Sequence, residues 1–337
     1  MRKFNIRLKV KEFFTEIFKD TYKTALVLFK IMIPVSIIVK ILQLTGAIEY
    51  IGIALSPFMR LVGLPGEMGL VWGTGMITNL FGGILAYLNL APYYHLTVAQ
   101  TTILCLMMLV AHTFPIELAI VRKAGVKLIT MFIFRFGFAF LMGFILNLIY
   151  NGSDILQEPS VISWKKPIED TTSIPMWALG ELKNYGIILV FIFSLLFLIK
   201  ILKLLGIIEL ISRGLSPLLR IMGIGSEVTT IAIIGLTLGV VYGGALIINE
   251  SKNHQINKRD IFYSLALMGL CHSLIEDTIL MMALGGHYSG ILLARILFSF
   301  IFIWLLVRYT KKMSDFKFSK YFLSKENHKL LSLKTKK

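Results

Sequence analysis

The chain has 337 residues, of which 56% are apolar and 16% charged. Its apolar residues come in blocks of about 20, the length that a helix needs to cross a hydrocarbon core. Runs such as residues 187–199 show no alternation of apolar and polar residues, which excludes a transmembrane β-barrel. The composition therefore predicts an all-α polytopic membrane protein.

The formal net charge of +16 is concentrated in the two terminal segments. Residues 1–23 contain seven Lys or Arg and three acidic residues, and residues 308–337 contain ten and two, so together they supply +12. Short basic segments beside apolar spans are typical of the cytoplasmic side of a cell membrane, and they attract anionic lipid headgroups. Because no basic surface interleaved with aromatic residues is present, we expect membrane lipids and no nucleic acid as partners.

The predicted elements begin with a cytoplasmic, interfacial amphipathic helix at residues 1–23, where apolar residues recur at helical spacing among Lys and Glu. A first repeat follows at 24–150, with long apolar spans at 24–45, 67–90, 96–121 and 127–150. The remaining predicted elements are an extracytoplasmic linker at 151–183, a second, inverted repeat at 184–310 and a basic cytoplasmic tail at 311–337.

The two repeats are visible when the sequence is compared with itself at an offset of 160 residues. Between residues 40–63 and 200–223, 13 of 24 positions are identical. The match continues through Gly75 and Gly235, Gly83 and Gly243, Asn89 and Asn249, His112 and His272, and Arg135 and Arg295. The chain is therefore one fold duplicated.

Corresponding loops of the two repeats carry opposite charge. Loop 90–97 has no Lys or Arg, whereas its counterpart contains Lys252, Lys258 and Arg259; loop 121–127 is basic and its counterpart is uncharged. Basic loops stay in the cytoplasm, so the repeats are expected to be inverted, with both termini cytoplasmic.

An inverted repeat needs an odd number of crossings in each half. Each half has four long apolar spans, which is an even number, so one more crossing is needed. The candidates for it are the proline-containing segments 46–64 and 206–224. This predicts an inverted-topology repeat of about five plus five transmembrane helices, some broken or re-entrant. The alternative is that these two segments are re-entrant or interfacial, in which case another span must also break.

The second span of each repeat combines glycines with polar residues, as in a helix that can unwind and offer backbone groups to a ligand. We therefore expect a solute site near the membrane midplane, formed by Thr78, Asn79, Gly82, Gly83, Tyr242, Gly243 and Asn249. Close helix packing is the alternative explanation for each single glycine.

The third span of each repeat carries a histidine followed by acidic residues, and the fourth carries an arginine. The residues concerned are His112, Glu117 and Arg135 in the first repeat and His272, Glu276, Asp277 and Arg295 in the second. Ionisable groups in hydrocarbon are costly, so each needs a partner or a role. Two hypotheses remain: the His and acidic residues couple movement to protons, or Arg135 and Arg295 simply pair with Glu117 and Asp277.

No enzymatic motif is present: the sequence lacks HExxH, GxSxG and a nucleotide-binding glycine fingerprint. Cys271, His272 and Glu276 could in principle bind a metal ion, but Cys105 does not occupy the equivalent position in the first repeat. Two cysteines inside apolar segments indicate no disulfide framework. We therefore expect no enzyme, cofactor or metal centre.

The duplicated "SP…R…G…E" stretch, the glycine- and Asn-bearing span and the His/Pro/acid helix together resemble the Gate, or nucleoside recognition, domain. The resemblance covers residues 25–150 and 185–308, as two Gate units. This domain occurs in spore maturation membrane proteins and, more distantly, in concentrative nucleoside transporters and the ferrous iron permease core. The resemblance implies recognition of a nucleoside-like solute.

The sequence thus predicts a secondary-transporter-like protein of the cell membrane that moves a small polar solute, with protons as the candidate coupling ion. A non-transporting membrane scaffold or assembly protein, and a divalent metal permease of the ferrous iron type, are the alternatives. Assembly into a homo-oligomer is compatible with each of these three functions.

Overall fold

The computed structural model describes residues 2–163, 173–252 and 256–324, without the side chains of residues 2–10, 226, 227, 238, 241 and 252. Within these ranges the chain is helical, has no β-strand and forms two isolated β-bridges. The described part therefore confirms the predicted all-α membrane protein.

The first half contains seven α-helices: α1 Arg2–Leu44, α2 Ala47–Leu61, α3 Met68–Ile77, α4 Leu80–Leu90, α5 Val98–Val110, α6 Phe114–Lys123 and α7 Leu128–Gly152. The described parts of the second half contain α8 Ile174–Leu204, α9 Ile207–Ile221, α10 Ser226–Leu238, α11 Val240–Lys252, α12 Lys258–Cys271, α13 Glu276–Ala283, α14 Arg295–Lys311 and α15 Asp315–Phe322. A π-helical turn at Ser289–Ala294 leads directly into α14.

The backbone repeats at the same offset of 160 residues as the sequence. Helix α2 spans Ala47–Leu61, and α9 spans Ile207–Ile221. Left-handed backbone also recurs in register: Gly46 has a φ of 70° and Gly206 one of 69°. Glycine adopts this conformation without steric cost, which explains why the turn from α1 to α2 and the turn from α8 to α9 both use it.

Backbone hydrogen bonds define two opposite faces of the molecule. On the linker face, the Ser160 amide donates to the Leu96 carbonyl (2.9 Å), and the Ser163 amide donates to the Ala283 carbonyl (2.9 Å). This face therefore holds loop 91–97, the described linker residues 153–163 and loop 284–288. On the opposite, basic face, the Lys127 amide donates to the Phe322 carbonyl (2.9 Å), which places loop 124–127 beside α15.

The repeats are inverted with respect to these faces. Helix α5 begins after loop 91–97, at the linker face, whereas its counterpart α12 begins at the basic face, where Arg259 donates to the Met313 carbonyl (2.8 Å). Equivalent helices thus run in opposite directions, as the charges of the loops predict.

Helices α3 and α4 form a re-entrant hairpin rather than one crossing. A Cβ atom on Gly83 would lie 3.1 Å from the Cα atom of Gly75, although eight residues of continuous helix would separate them by about 12 Å. The second repeat does the same, because a Cβ atom on Gly243 would lie 2.7 Å from the Cα atom of Gly235. Each hairpin enters and leaves through one face.

Helix α2 lies along the linker face. Its far end is held there, since the Gln100 side chain, near the start of α5, donates to the Gly63 carbonyl (2.9 Å). Along its length, Gly52 packs against Glu67 at the entry to the first hairpin. Helix α9 lies in the same way along the basic face, where Gly225 packs against Asp260.

The described residues therefore favour three crossings in each half rather than five. In the described part, six segments are long and apolar enough to cross a membrane: Lys11–Leu44, Val98–Lys123, Leu128–Gly152, Ile174–Leu204, Lys258–Ala283 and Ser289–Lys311. Segments 46–64 and 206–224 do not cross, and spans 67–90 and 227–250 break into hairpins. This agrees with the alternative prediction, in which the two proline-containing segments are interfacial and another span in each half breaks.

Three element boundaries differ from those drawn on the sequence. Residues 2–44 form one helix, so the amphipathic segment 1–23 continues into the first span without a break. Helix α8 begins at Ile174, inside the segment expected to be linker. The tail from residue 311 contains α15, which docks on the basic face, and its residues 325–337 lie outside the described ranges, as do linker residues 164–172.

Helices α5 and α12 form the centre of the molecule, and every side chain from Thr101 to Val110 and from Ile261 to Cys271 is buried. Lipid tails are as apolar as leucine, so burial alone does not hold such helices together, and close packing and hydrogen bonds do. The breaks that follow these two helices therefore lie deep in the molecule.

Candidate functional site

Two membrane-crossing helices are broken at equivalent points. Between α5 and α6 the chain unwinds at residues 111–113, and between α12 and α13 it unwinds at residues 272–275. Thr113 and Ser273 have φ angles of 53° and 48°, in the left-handed region that ends a helix. Pro115, which lacks an amide hydrogen, then occupies the first turn of α6 without cost.

The re-entrant hairpins reach these breaks. The Thr113 amide donates to the Gly75 carbonyl of α3 (3.0 Å), and the Leu274 amide donates to the Leu236 carbonyl of α10 (3.0 Å). At the tip of the first hairpin, Asn79 is extended, and its side-chain oxygen accepts from the Gly82 amide (2.9 Å). Four interrupted backbone segments therefore converge on the centre of the molecule.

An arginine caps the open carbonyls at the end of each central helix. Arg135 donates from Nε to the Val110 carbonyl (2.9 Å) and from Nη2 to the His112 carbonyl (3.2 Å). Arg295 makes the same pair of bonds, to the Leu270 carbonyl (3.3 Å) and to the His272 carbonyl (2.6 Å). A broken helix leaves its last carbonyls without partners, and these bonds satisfy them in hydrocarbon.

The third guanidinium nitrogen distinguishes the two arginines. Nη1 of Arg135 donates to Glu117 Oε2 in a buried ion pair. Nη1 of Arg295 has no hydrogen-bond partner among the described residues, although Asp277 lies close enough to interact electrostatically. The structure therefore brings Arg135 and Glu117 together and does not pair Arg295 with Asp277.

The two histidines meet at the centre. His112 Nε2 and His272 Nε2 are 3.2 Å apart, and each lies near Glu117 Oε1, at 3.7 and 3.6 Å respectively. All three side chains are buried. Their ligand atoms lie within 4.8 Å of one another, and this group includes neither Cys271 nor Glu276, the two other residues of the metal set considered from sequence.

The residues of the predicted solute site lie at different depths. Tyr242 is in the first turn of α11 and is 66% exposed, whereas Asn249 is exposed near the far end of α11, away from the hairpin tip. Gly82, Gly83 and Gly243 mediate packing, because added Cβ atoms would collide with Thr78, Gly75 and Gly235. Thr78 and Asn79 place polar side chains at the tip of the first hairpin. The second tip is formed by Gly239, next to Ser273.

Sequence reasoning missed a set of buried hydroxyl groups in the second repeat. Ser264 and Thr278 have hydroxyl oxygens without a hydrogen-bond partner among the described residues, and Ser299 is also fully buried. Their counterparts at an offset of 160 are Leu104, Leu118 and Ala139, which are apolar. The second repeat is therefore more polar than the first at these three buried positions, and a position-by-position comparison of the repeats would have revealed the difference.

Comparison with known proteins supports the resemblance seen in the sequence. Residues 25–128 match the Gate family, described as nucleoside recognition. This part of the chain, residues 25–128, is therefore similar to a Gate domain. The Gate match covers α2 to α6 and most of the span of α1, and thus includes the first hairpin, His112 and Glu117.

The chain is also 28% identical over 281 residues to an uncharacterized membrane protein, YvoD, of Bacillus subtilis (strain 168). The alignment covers 82% of this chain and 88% of that protein, so the likeness extends over both repeats. No solved structure matches the chain.

Proposed function

We propose that this protein is a secondary transporter that carries a small polar solute across the cell membrane, and that it is not an enzyme. One observation carries the proposal: two re-entrant hairpins enter from opposite faces and meet two broken helices, as shown by the bonds from Thr113 to Gly75 and from Leu274 to Leu236. Inverted repeats with discontinuous helices at the midplane are the arrangement that alternating access uses.

The hairpins differ in their packing, as alternating access requires. Helix α11 packs against α6 of the first repeat, with Gly244 facing Ile120. Outside its own hairpin, the counterpart α4 packs mainly against α1, and the residue equivalent to Gly244, Ile84, is buried. The two equivalent hairpins therefore occupy unequal environments, which supports a transporter resting in one of two related states.

The solute is proposed to bind where the tips meet the breaks, with Thr78, Asn79 and Ser273 as its nearest polar side chains. Unwound backbone offers amides and carbonyls there, and such groups recognise neutral polar molecules with several donors and acceptors. A nucleoside-like solute fits this chemistry and the description of the matched family.

Glu276 and Asp277 are the proposed carriers of a coupling proton. Asp277 is 8% exposed, and the described residues form no ion pair with it. The charged groups around it are Glu276, Arg295 and Glu117. Two adjacent carboxylates are costly to bury in ionised form, so they would hold a proton when sealed and release it when opened to water.

The basic face is proposed to be cytoplasmic. It carries loop 124–127, Arg259 and α15, and it receives both ends of the described chain, since Glu16 near the start of α1 pairs with Lys200 near the end of α8. Basic segments remain in the cytoplasm and attract anionic lipids.

Uptake into proteoliposomes tests the proposal. A thermal-shift screen of nucleosides, organic anions and other polar solutes selects the substrate, and uptake is measured with and without a pH gradient. Asn79→Ala is expected to abolish uptake, and Glu276→Gln to abolish its response to the gradient. Gly73→Ala is the control, because no atom lies within 4 Å of the added Cβ.

Two results would contradict the proposal. The first is a flux that does not depend on the pH gradient and that neither Asn79→Ala nor Glu276→Gln changes, which would contradict both the solute site and the proton coupling. Absence of flux for every solute that stabilises the protein would favour the non-transporting scaffold, for which changes at these residues alter folding or partner pull-down only.

A further inference from the structure

The tautomers of the two central histidines are fixed by their surroundings. His112 Nδ1 lies 2.9 Å from the Met108 carbonyl, and His272 Nδ1 lies 2.8 Å from the Met268 carbonyl. A carbonyl oxygen only accepts, so each Nδ1 must carry the hydrogen. Each neutral ring therefore presents a lone pair at Nε2.

Three acceptor atoms consequently point at one place. The two Nε2 atoms are 3.2 Å apart, and Glu117 Oε1 is 3.7 Å from one and 3.6 Å from the other. Three lone pairs that face one another in a buried space repel, unless a cation lies among them.

The spacing fits a metal ion. Ligands at about 2.0–2.1 Å from a tetrahedral ion are about 3.3–3.4 Å apart, close to the three separations seen here. Two imidazoles and one carboxylate form a common ligand set for zinc and for ferrous iron.

The atoms behind the ligands are also those of a metal site. Each Nδ1–H donates to a main-chain carbonyl, which is the usual way of orienting a ligating histidine. Arg135 binds Oε2 of Glu117 and leaves Oε1 free to face the histidines. The arginine thereby fixes the carboxylate without occupying the atom that a metal would use.

We propose that His112, Glu117 and His272 form a binding site for a divalent transition-metal ion, with a fourth ligand position open to water or solute. The proposal goes beyond solute transport and stands whether or not the protein transports. Two ligands come from the first repeat and one from the second, so the ion would join the repeats where they meet.

The charge around the site is compatible with a divalent ion. Glu117 is shared with Arg135, while Asp277 lies near enough to interact electrostatically with Glu117. Arg135 and Arg295 act electrostatically on both histidines, while each donates hydrogen bonds to the carbonyl of His112 or His272, and the carboxylates of Glu117 and Asp277 offset their positive charge.

Metal binding to the full chain, purified in detergent and stripped with a chelator, tests the site. Zn²⁺ titration by calorimetry is expected to show one ion per chain. His272→Ala is expected to weaken binding more than about 100-fold, because losing a residue that merely supports a ligand already costs 10–100-fold. His95→Asn is the control, since His95 is exposed and Asn tolerates its φ of 43°.

A second variant identifies the ligand directly. His272→Cys replaces one ligand by another, so with Co²⁺ it is expected to retain binding and to show a sulfur-to-cobalt charge-transfer band. The unsubstituted chain, with Cys271 already present, is expected to lack that band. Circular dichroism and gel filtration establish that each variant is folded, and the cysteine variant tests the site even where His272→Ala does not fold.

Three outcomes would overturn the proposal. The first is a stripped chain that takes up neither Zn²⁺ nor Co²⁺. The second is binding that His272→Ala leaves unchanged. The third is a histidine ¹⁵N spectrum in which the pair shares a proton that added metal does not displace. Each is measured without solute or gradient, so a failure of metal binding is distinguishable from a failure of transport.

Discussion

His112 and His272 stand 160 positions apart in the chain and face each other with their Nε2 atoms 3.2 Å apart. Each ring is held by the same bond, from Nδ1 to the carbonyl four residues earlier. The contact therefore lies between the two repeats, and any sliding of one repeat against the other changes this distance.

The Arg135 and Glu117 pair should be the more important of the two arginine sites for stability. Glu117→Gln leaves a buried guanidinium without its carboxylate, and breaking a buried pair costs about 3–5 kcal/mol. Asp277→Asn is the matched change in the other repeat, where Nη1 of Arg295 has no partner in the part of the chain that the structure describes. We expect a clearly larger drop in unfolding temperature for Glu117→Gln; equal drops would show that the pair is not special.

The hairpins should depend on glycine where their arms touch. A Cβ atom on Gly243 would lie 2.7 Å from both the Gly235 Cα and the Met268 Sδ. Gly243→Ala should therefore destabilise the protein by about 1–3 kcal/mol, the usual cost of overpacking. Gly73→Ala, in open space on α3, should be neutral or slightly stabilising. Thermal unfolding in detergent measures both, and a loss for Gly73→Ala would contradict the hairpin geometry.

Cysteine labelling in intact membranes distinguishes three plus three crossings from five plus five. Helix α2 lies along one face, so Thr45→Cys and Leu61→Cys should react with an impermeant reagent from the same side as Tyr93→Cys. Lys312→Cys, next to α15, should react from the opposite side. Both native cysteines are buried and give little background. Opposite labelling of Thr45→Cys and Leu61→Cys would restore α2 as a crossing.

Arg259 should hold α15 against the basic face. It donates to the Thr310 carbonyl (2.6 Å), the Met313 carbonyl (2.8 Å) and Asp315 Oδ1 (2.8 Å). Arg259→Ala should therefore expose α15 to protease, with a loss of about 1–3 kcal/mol. Arg259→Lys should not restore protection, because an ammonium group cannot reproduce the planar fork. Full protection in either variant would contradict this role.

The sequence reveals the duplication and its inversion because both depend on local signals. Identical residues at a fixed offset determine the repeat, and Lys and Arg in short loops determine direction. The first and last residues of α2 and α9 also correspond at this offset.

The number of crossings was not predictable from hydropathy. Residues 67–90 are apolar enough to span, and the Thr78–Asn79 pair at their centre reads equally well as a local unwinding or as a turn. Each arm of 10 or 11 residues reaches about 15 Å, half of a hydrocarbon core, so the hairpin and the single span have the same composition. Only the approach of Gly75 to Gly83 decides between them.

The centre of the site was only partly predictable for a different reason. The spacing of His112 and Glu117 places both near one break, and Arg135 was a candidate partner from its depth in the span. The contact of His112 with His272, however, joins the two repeats, and no local spacing encodes it.

Helices α2 and α9 lie on opposite faces, and each hairpin descends directly from one of them. Their separation is then set by the hydrophobic thickness of the bilayer, since amphipathic helices remain at the boundary between headgroups and acyl chains. A thinner bilayer would bring α2 and α9 closer together and press the hairpin tips against the breaks. A thicker bilayer would move the two helices apart and draw the tips away from the breaks. The distance between His112 and His272 should accordingly respond to acyl chain length, which makes lipid thickness a control parameter of this molecule.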